Sequence, residues 1–287
     1  MITVSNKTFD EERALYGLRD ALVEGCRFEG EADGESAMKE SSGLTVRSCS
    51  FHLRYPFWHT ANTRIEDSSM SLTCRAPLWY CKDIALKNCR LTDTPKALRE
   101  CTDVVLDRSH ILSTEFGWFC HDVHAVHSHI TSEYAFMHST HLTLASVTLS
   151  GKYSFQYVKN ALIENCVLDT KDAFWHSENV TVRGCEIKGE YLGWYSKNLH
   201  LIDCRISGTQ PLCYAKGLVI ENCEMTDADL AFESSDVAVS VIGKIDSVKA
   251  PKSGYIIADE IGEIITDRAI CTGDGCNILL RSEIKAM

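Results

Sequence analysis

The fold is decided by residues 161–217, which read ALIENCVLDTKDAFWHSEN (161–179), VTVRGCEIKGEYLGWYSKN (180–198) and LHLIDCRISGTQPLCYAKG (199–217). Written in rows of nineteen, they align with themselves column by column. With the first residue of a row as position zero, further rows begin at Val104, Val123, Leu142, Leu218 and Val237. The same phrase opens at Ala21, Leu44, Thr63 and Ile84, with small insertions between rows. A repeat of this length is a solenoid signature: one unit cannot bury its apolar face alone, and stacked units bury a continuous core.

Each row reads as short strands. Positions zero and two are aliphatic (Leu199 and Leu201, Leu218 and Ile220), the alternation of a strand with one buried face. Position four is Asn165, Gly184, Asp203 or Asn222, residue types that tolerate the left-handed backbone of a sharp corner. The last position, Asn160, Asn179, Asn198, Gly217 and Asp236, is a second corner. Position five is Cys26, Cys49, Cys89, Cys166, Cys185, Cys204 and Cys223. Strand, corner, strand, looser turn, strand, corner predicts an all-β, parallel β-helix of about eleven to twelve coils, with identical columns about 4.8 Å apart. Left-handed β-helices show shorter hexapeptide repeats, so a right-handed one is expected. The expected organisation is an N-terminal cap and partial coil over 1–20, the β-helix over 21–254 and a C-terminal cap over 255–287, because a terminal coil must stop further strand pairing.

Composition narrows the function. A net charge of −11 argues against nucleic-acid and anionic-membrane partners, and mildly against a polyanionic substrate. No apolar run is long enough to span a bilayer. The start, MITVSNKTFDEER, lacks a basic region followed by an apolar stretch, so a secretory signal is not expected and a cytoplasmic location is. The fourteen cysteines are then read as mostly buried, reduced thiols in a core ladder. Cys271 and Cys276 lack a second ligand pair, so zinc is not expected there. No Gly-rich phosphate loop, Ser-centred elbow or HExxH is present, and no cofactor or metal is expected. In HDVHAVHSH, residues His121, His124, His127 and His129 straddle a strand and its corner and do not obviously converge.

The third strand, positions eleven to sixteen, carries what chemistry the rows suggest. Position sixteen is small and precedes a corner, so it should point inward, taking twelve and fourteen with it by alternation. Position fourteen, with Trp118, Trp175 and Trp194, then belongs to the core, and Gln156 is its poor fit. Positions eleven, thirteen and fifteen should face solvent. The last of these columns reads His59, Tyr80, Glu100, Phe119, His138, Tyr157, His176, Tyr195 and Tyr214. An exposed aromatic surface with polar groups marks binding, and His59, Tyr80, His138, Tyr157, His176, Tyr195 and Tyr214 form the candidate platform.

Asp172 and Glu190 fall in adjacent coils, with carboxyls expected roughly 5–8 Å apart, a range used in glycoside hydrolysis. One carboxyl would protonate a leaving oxygen while the other attacks or activates water. Arg99 and Glu100 are a second candidate pair. Their row, 84–103, is one residue longer than nineteen. A bulge in KALREC would turn Leu98 inward and Arg99 outward beside His59 and Tyr80, with Arg54 and Tyr55 close by.

The phrases KTFDEERALYGLRDA, FHLRYPFWH, ALREC, EFGWFC, KYSFQY, TKDAFWHSENV, GEYLGWYSKN, GTQPLCY, DLAFE and IDSVKAPKSG resemble a bacterial domain-of-unknown-function family, DUF3737, of the pectate-lyase-like group. The resemblance spans nearly the whole chain and implies a right-handed parallel β-helix. It implies no activity, since fold does not carry function. No calcium cluster or catalytic arginine of the pectate lyases maps onto this sequence. The expected function is carbohydrate binding on the aromatic sheet, with possible hydrolase- or lyase-type action on an oligosaccharide. The alternative is a non-catalytic scaffold whose aromatic sheet meets a protein partner or a second copy as a homo-oligomer.

Overall fold

The computed structural model describes residues 2–266 and 275–284. The chain divides into two compact units, residues 1–148 and 149–287. Both are parallel β-solenoid, with turns about 19 residues apart and about 14 turns in all. No helix among the described residues is long and apolar enough to cross a membrane.

In the first unit, strands Ile2–Ser5, Arg19–Glu24, Ser42–Arg47, Ala61–Glu66, Lys82–Lys87, Thr102–Asp107, His121–Val126 and Thr140–Ala145 repeat the same element. Consecutive ones pair in parallel, so that Ile2 faces Ala21, Leu44 faces Thr63, Ile84 faces Val104 and Val123 faces Leu142. In the second unit the matching strands are Lys159–Glu164, Glu178–Arg183, Lys197–Ile202, Leu218–Thr226, Asp236–Ile242, Ser253–Ala258 and Cys276–Leu280. There Ala161 faces Val180, Val180 faces Leu199, and Leu201 faces Ile220. The column register is the one the rows predict. The strand pairings of Ile2–Ser5 and Cys276–Leu280 show that segments read as caps over 1–20 and 255–287 carry coils of their own. This is why the turns outnumber the expected eleven to twelve.

Both corners are left-handed as expected. Asn165, Gly184, Asp203 and Asn222 have φ of 53°, 61°, 52° and 54°. At the second corner the amides form a ladder, Asn198 Nδ2 donating to Asn179 Oδ1 at 2.9 Å and Asn179 Nδ2 to Asn160 Oδ1 at 3.2 Å. The position-five cysteines are all buried thiols. Burial pushes the Cys49 and Cys89 thiols up to about 11, so they behave as small apolar core groups rather than nucleophiles. Cys271 lies outside the described residues, and with it the CTGDGC pair.

The third side of each coil departs from the expected strand. The first unit has only short pieces there, Leu78–Trp79, Leu98–Arg99, Glu115–Trp118 and Tyr134–Ala135. In the second unit the stretch is a chain of turns. Asp172, Phe174 and His176, at positions eleven, thirteen and fifteen, have φ of 53°, 61° and 53°. Such values are rare for bulky residues and cost of order 1–3 kcal/mol each. The cost is offset because the backbone N–H of each of these left-handed residues still finds a partner in an adjacent coil. Asp172 N donates to Glu190 O at 2.9 Å, Phe174 N to Ser154 O at 3.0 Å and His176 N to Trp194 O at 3.0 Å. These three N–H groups thus point alternately to the coil on either side.

The left-handed residues destroy the period-two alternation. Position thirteen turns inward, with Phe155, Phe174 and Leu212 all fully buried. Phe155 and Phe174 stack at 4.9 Å. Position fourteen turns partly outward at its tryptophans, while Gln156, Cys213 and Phe232 there stay buried. The expectation that thirteen faces solvent is therefore reversed, the expectation that fourteen faces the core fails at the tryptophans, and position fifteen is outward as expected. Removing a buried ring from this column should leave a cavity that neighbouring coils cannot close. Phe174→Ala is expected to cost about 3–5 kcal/mol and Phe174→Leu markedly less, read as the shift in denaturant midpoint; equal shifts would show the column is not closely packed.

Candidate functional site

Two neighbouring columns make the outer face of the third side. All five tryptophans of the chain, Trp58, Trp79, Trp118, Trp175 and Trp194, occupy position fourteen. They are half-buried and lie against the surface. Four of the five indoles donate Nε1–H to a carbonyl one coil on: Trp58 to Ala76, Trp79 to Lys96, Trp118 to Tyr134 and Trp194 to Gln210, at 2.7–2.8 Å. Trp175 is the exception, its N–H buried without a protein partner.

In the first unit Trp58 stacks on Trp79 at 5.5 Å. Arg99 takes the next rung. Its guanidinium lies 5.2 Å from the Trp79 ring, 5.6 Å from Trp118 and 5.4 Å from Phe119. A planar cation replaces an indole in a ring stack, which a guanidinium can do and an ammonium cannot. Its Nε lies 3.4 Å from Glu100 Oε1. The strand register shifts here, Leu98 facing Phe116 and Arg99 facing Trp118. Leu98 points inward and Arg99 outward, as expected, but the residue left unpaired at the register shift is Gly117 of the next coil and not one in KALREC. Gly117 has φ of 75°, and a Cβ there would meet Phe136 Cδ1 at 2.5 Å. Beside this column His59 stacks on Tyr80 at 5.0 Å and Phe119 on His138 at 5.0 Å. Partial burial holds the His138 imidazole below its usual pKa. Arg54 turns away from the column to Asp33, at 3.2 Å, and Glu35.

In the second unit position fifteen is a ladder of four rings. Tyr157 and His176 stack at 5.2 Å, His176 and Tyr195 at 5.0 Å, and Tyr195 and Tyr214 at 4.9 Å, all within 12° of parallel. The spacing is one strand separation, so the ladder follows directly from coil register. Beyond Tyr214, Glu233 is buried and ion-paired to Lys249 Nζ at 3.1 Å. Burial, and then the charge of Glu233, raise the Tyr214 phenol.

Asp172 and Glu190 lie in adjacent coils. The Glu190 carboxylate turns to Lys171, Oε2 lying 2.8 Å from Nζ. That lysine also lies over the Tyr191 ring. The Asp172 carboxyl is held above the usual range, mainly by partial burial, with Lys171 opposing the rise and Glu190 adding to it. The side chains thus place one carboxyl with a raised pKa beside one carboxylate already engaged by a cation. A depression of about 460 Å³ in this unit lies over the first corner, lined by Asn165, Gly184, Asp203 and Asn222, and not over the ring ladder.

The histidine-rich stretch separates. His129 stacks on His110 at 4.9 Å. His121 meets Asp122 and, from the next coil, His141. Nothing in the sequence marked His141, because its partner lies a whole coil away. The tryptophan column could have been found: an inward column leaves an indole N–H little to bond, whereas a half-buried one reaches a neighbouring carbonyl.

Solenoid, corners and twin ring columns define a parallel β-helix protein with an aromatic outer face. The chain belongs to the family described as "Protein of unknown function (DUF3737)", whose model matches residues 2–279. No curated protein matches it. Among solved structures it is similar to PfbA, a surface adhesin of Streptococcus pneumoniae, at 7% identity, covering 91% of this chain and 83% of that one with a TM-score of 0.39. It is also similar to the A-module of the mannuronan C-5 epimerase AlgE4 of Azotobacter vinelandii, at 8% identity, covering 96% and 87% with a TM-score of 0.36.

Two outcomes follow from the side-chain geometry. Arg99→Lys is expected to lose about 1 kcal/mol of stability, since an ammonium cannot fill the slot between Trp79 and Trp118; a thermal shift indistinguishable from zero would show the sandwich contributes nothing. The folded Asp172 carboxyl holds its proton more tightly than the unfolded chain does. It therefore costs stability at neutral pH, and the cost vanishes as pH falls below the ordinary carboxylate pKa of about 3.9. Asp172→Asn keeps a residue that accepts left-handed backbone, so it is expected to raise the melting temperature near neutrality and not in acid. An equal change in both would assign the effect to packing.

Proposed function

We propose that the ring ladder of the second unit, Tyr157, His176, Tyr195 and Tyr214, binds an extended, uncharged oligosaccharide running along the stack. The observation that carries this reading is the ladder's geometry: four half-exposed to exposed rings at 4.9–5.2 Å, one per coil. Because the rings stack on one another, their inner faces are already covered. A sugar cannot lie flat on them as it would on a lone tryptophan. What the ladder presents is ring edges, each with a phenol hydroxyl or an imidazole nitrogen able to donate and accept. A comb of such groups at a fixed spacing suits a polymer that repeats its hydroxyls at a similar rise. The net charge of −11 disfavours a polyanion, so a neutral glycan is the better match.

Binding has more support than turnover. Glu190 is held by Lys171, which leaves Asp172 without an open carboxylate partner. The second reading, a surface that meets a protein or a second copy, rests on the same exposed rings, because Tyr side chains are enriched at interfaces. A glycan array followed by titration of neutral oligosaccharides separates the two. Tyr157→Ala and Tyr195→Ala are each expected to weaken sugar binding at least tenfold, about 1.4 kcal/mol. A wild-type dimer that dissociates in these variants, with no sugar response, would replace the glycan reading by the interface one.

A further inference from the structure

We propose that His121, Asp122 and His141 form a surface site for a borderline divalent transition-metal ion, of the Zn²⁺ or Cu²⁺ type. The site lies within the first unit and is independent of the glycan reading. One donor atom from each of the three residues lies within 4.8 Å of the others. His121 Nδ1 is 2.7 Å from Asp122 Oδ2, and the His121 and His141 rings are 4.7 Å apart at a tilt of 54°.

The backbone places the three groups by the same rule that builds the rest of the fold. Asp122 and His141 hold the second corner in consecutive coils, with φ of 53° and 55°. In other coils of this unit that corner is Asp20, Gly43, Asn62, Asp83 or Asp103. A histidine replaces the short residue only at 141, and it does so directly beside an aspartate. His121 precedes its own corner and pairs in register with Thr140, so its ring stands next to the ring that follows Thr140. Its backbone N–H is fixed to Cys101 O at 2.9 Å. Rigid strand ends therefore carry all three donors, which is the arrangement a metal site needs for pre-organisation.

The distances are close to closure. Metal–nitrogen and metal–oxygen bonds of about 2.0–2.2 Å in a tetrahedral set put donors about 3.3–3.5 Å apart. Donors already within 4.8 Å need about 1 Å of side-chain rotation. The His121 and Asp122 side chains are 48% and 42% exposed, which leaves them room for that rotation. Two imidazoles and one carboxylate suit zinc, copper and nickel; hard magnesium and calcium prefer sets made only of oxygen. Three protein ligands leave at least one position for water or for a donor from a ligand. The overall negative charge of the chain also favours cation capture.

The test uses the untagged full chain, stripped with a chelator and titrated calorimetrically with Zn²⁺ and separately with Mg²⁺. Zinc is expected to bind with a component that His141→Asn and His121→Ala each weaken at least tenfold. His141→Asn restores the residue type that holds this corner at Asn62, so loss of binding cannot be put down to misfolding. Asp122→Asn is expected to weaken the same component. His129→Ala, altering the stacked pair elsewhere in the unit, is expected to leave it unchanged. Affinity should fall on acidification, because protons compete with the metal for the ligand atoms. Magnesium is expected to give no heat that the variants alter. Wild-type zinc affinity and stoichiometry in His141→Asn, or equal weakening in His129→Ala, would overturn the assignment.

Discussion

Hydrogen bonding between adjacent coils is the constraint on which everything else in this protein depends. A parallel stack brings each residue to within one strand spacing of its counterpart a row away. Whatever type fills a column must therefore tolerate its own kind as a neighbour. Small thiols, aliphatic side chains, Asn amides and flat rings all meet that demand in different ways. Thiols and aliphatics pack, amides pass a hydrogen bond from coil to coil, and rings stack face to face. The Asn160, Asn179 and Asn198 ladder and the Tyr157 to Tyr214 ladder are two answers to the same geometric requirement.

Charges cannot stack on like charges, and the exceptions to column uniformity show how the fold handles them. Arg99 enters a tryptophan column because a guanidinium is flat and its charge is welcomed by the ring faces on either side. Glu233 ends a ring ladder in a buried position only because Lys249 supplies the counter-charge. Glu190 beside Asp172 is relieved by Lys171. At the corner of residue 141 an imidazole comes within 4.8 Å of an aspartate carboxylate where other coils place amides side by side. Each departure from the repeat is thus a place where chemistry, rather than packing alone, has been written into the solenoid.

The stacking that gives the outer face its order also changes what that face can recognise. A single exposed indole offers a flat apolar surface. A ladder of rings hides those surfaces and turns edges, hydroxyls and ring nitrogens outward. The tryptophans lie one column deeper, four of the five tied by their indole N–H groups to carbonyls one coil on. They serve as the floor that holds the outer ring column in place.

The repeat, the corners and the cysteine ladder were legible in the rows because they depend only on local residue type and on a constant period. Leu199 and Leu201 alternate, Asn165 and Asp203 accept left-handed backbone, and the period brings like residues together. The ring column of His59, Tyr80, Tyr157 and Tyr195 was legible for the same reason. The direction of the third side was not. Alternation predicts Phe174 outward and Trp175 inward, but left-handed backbone at Asp172, Phe174 and His176 bends the chain and reverses them. Bulky residues adopt that conformation only when hydrogen bonds to the coils on both sides hold them there, and those bonds exist only in the assembled stack. The pairing of Glu190 with Lys171, the Gly117 bulge that seats Arg99, and the meeting of His121 with His141 likewise depend on side chains from different coils or on rotamers chosen by packing. The sequence by itself determined the period, the class of fold and which residues share a column; only the tertiary structure decided which way the third side faces and which charged groups meet, because both are set by contacts between coils that no single row contains.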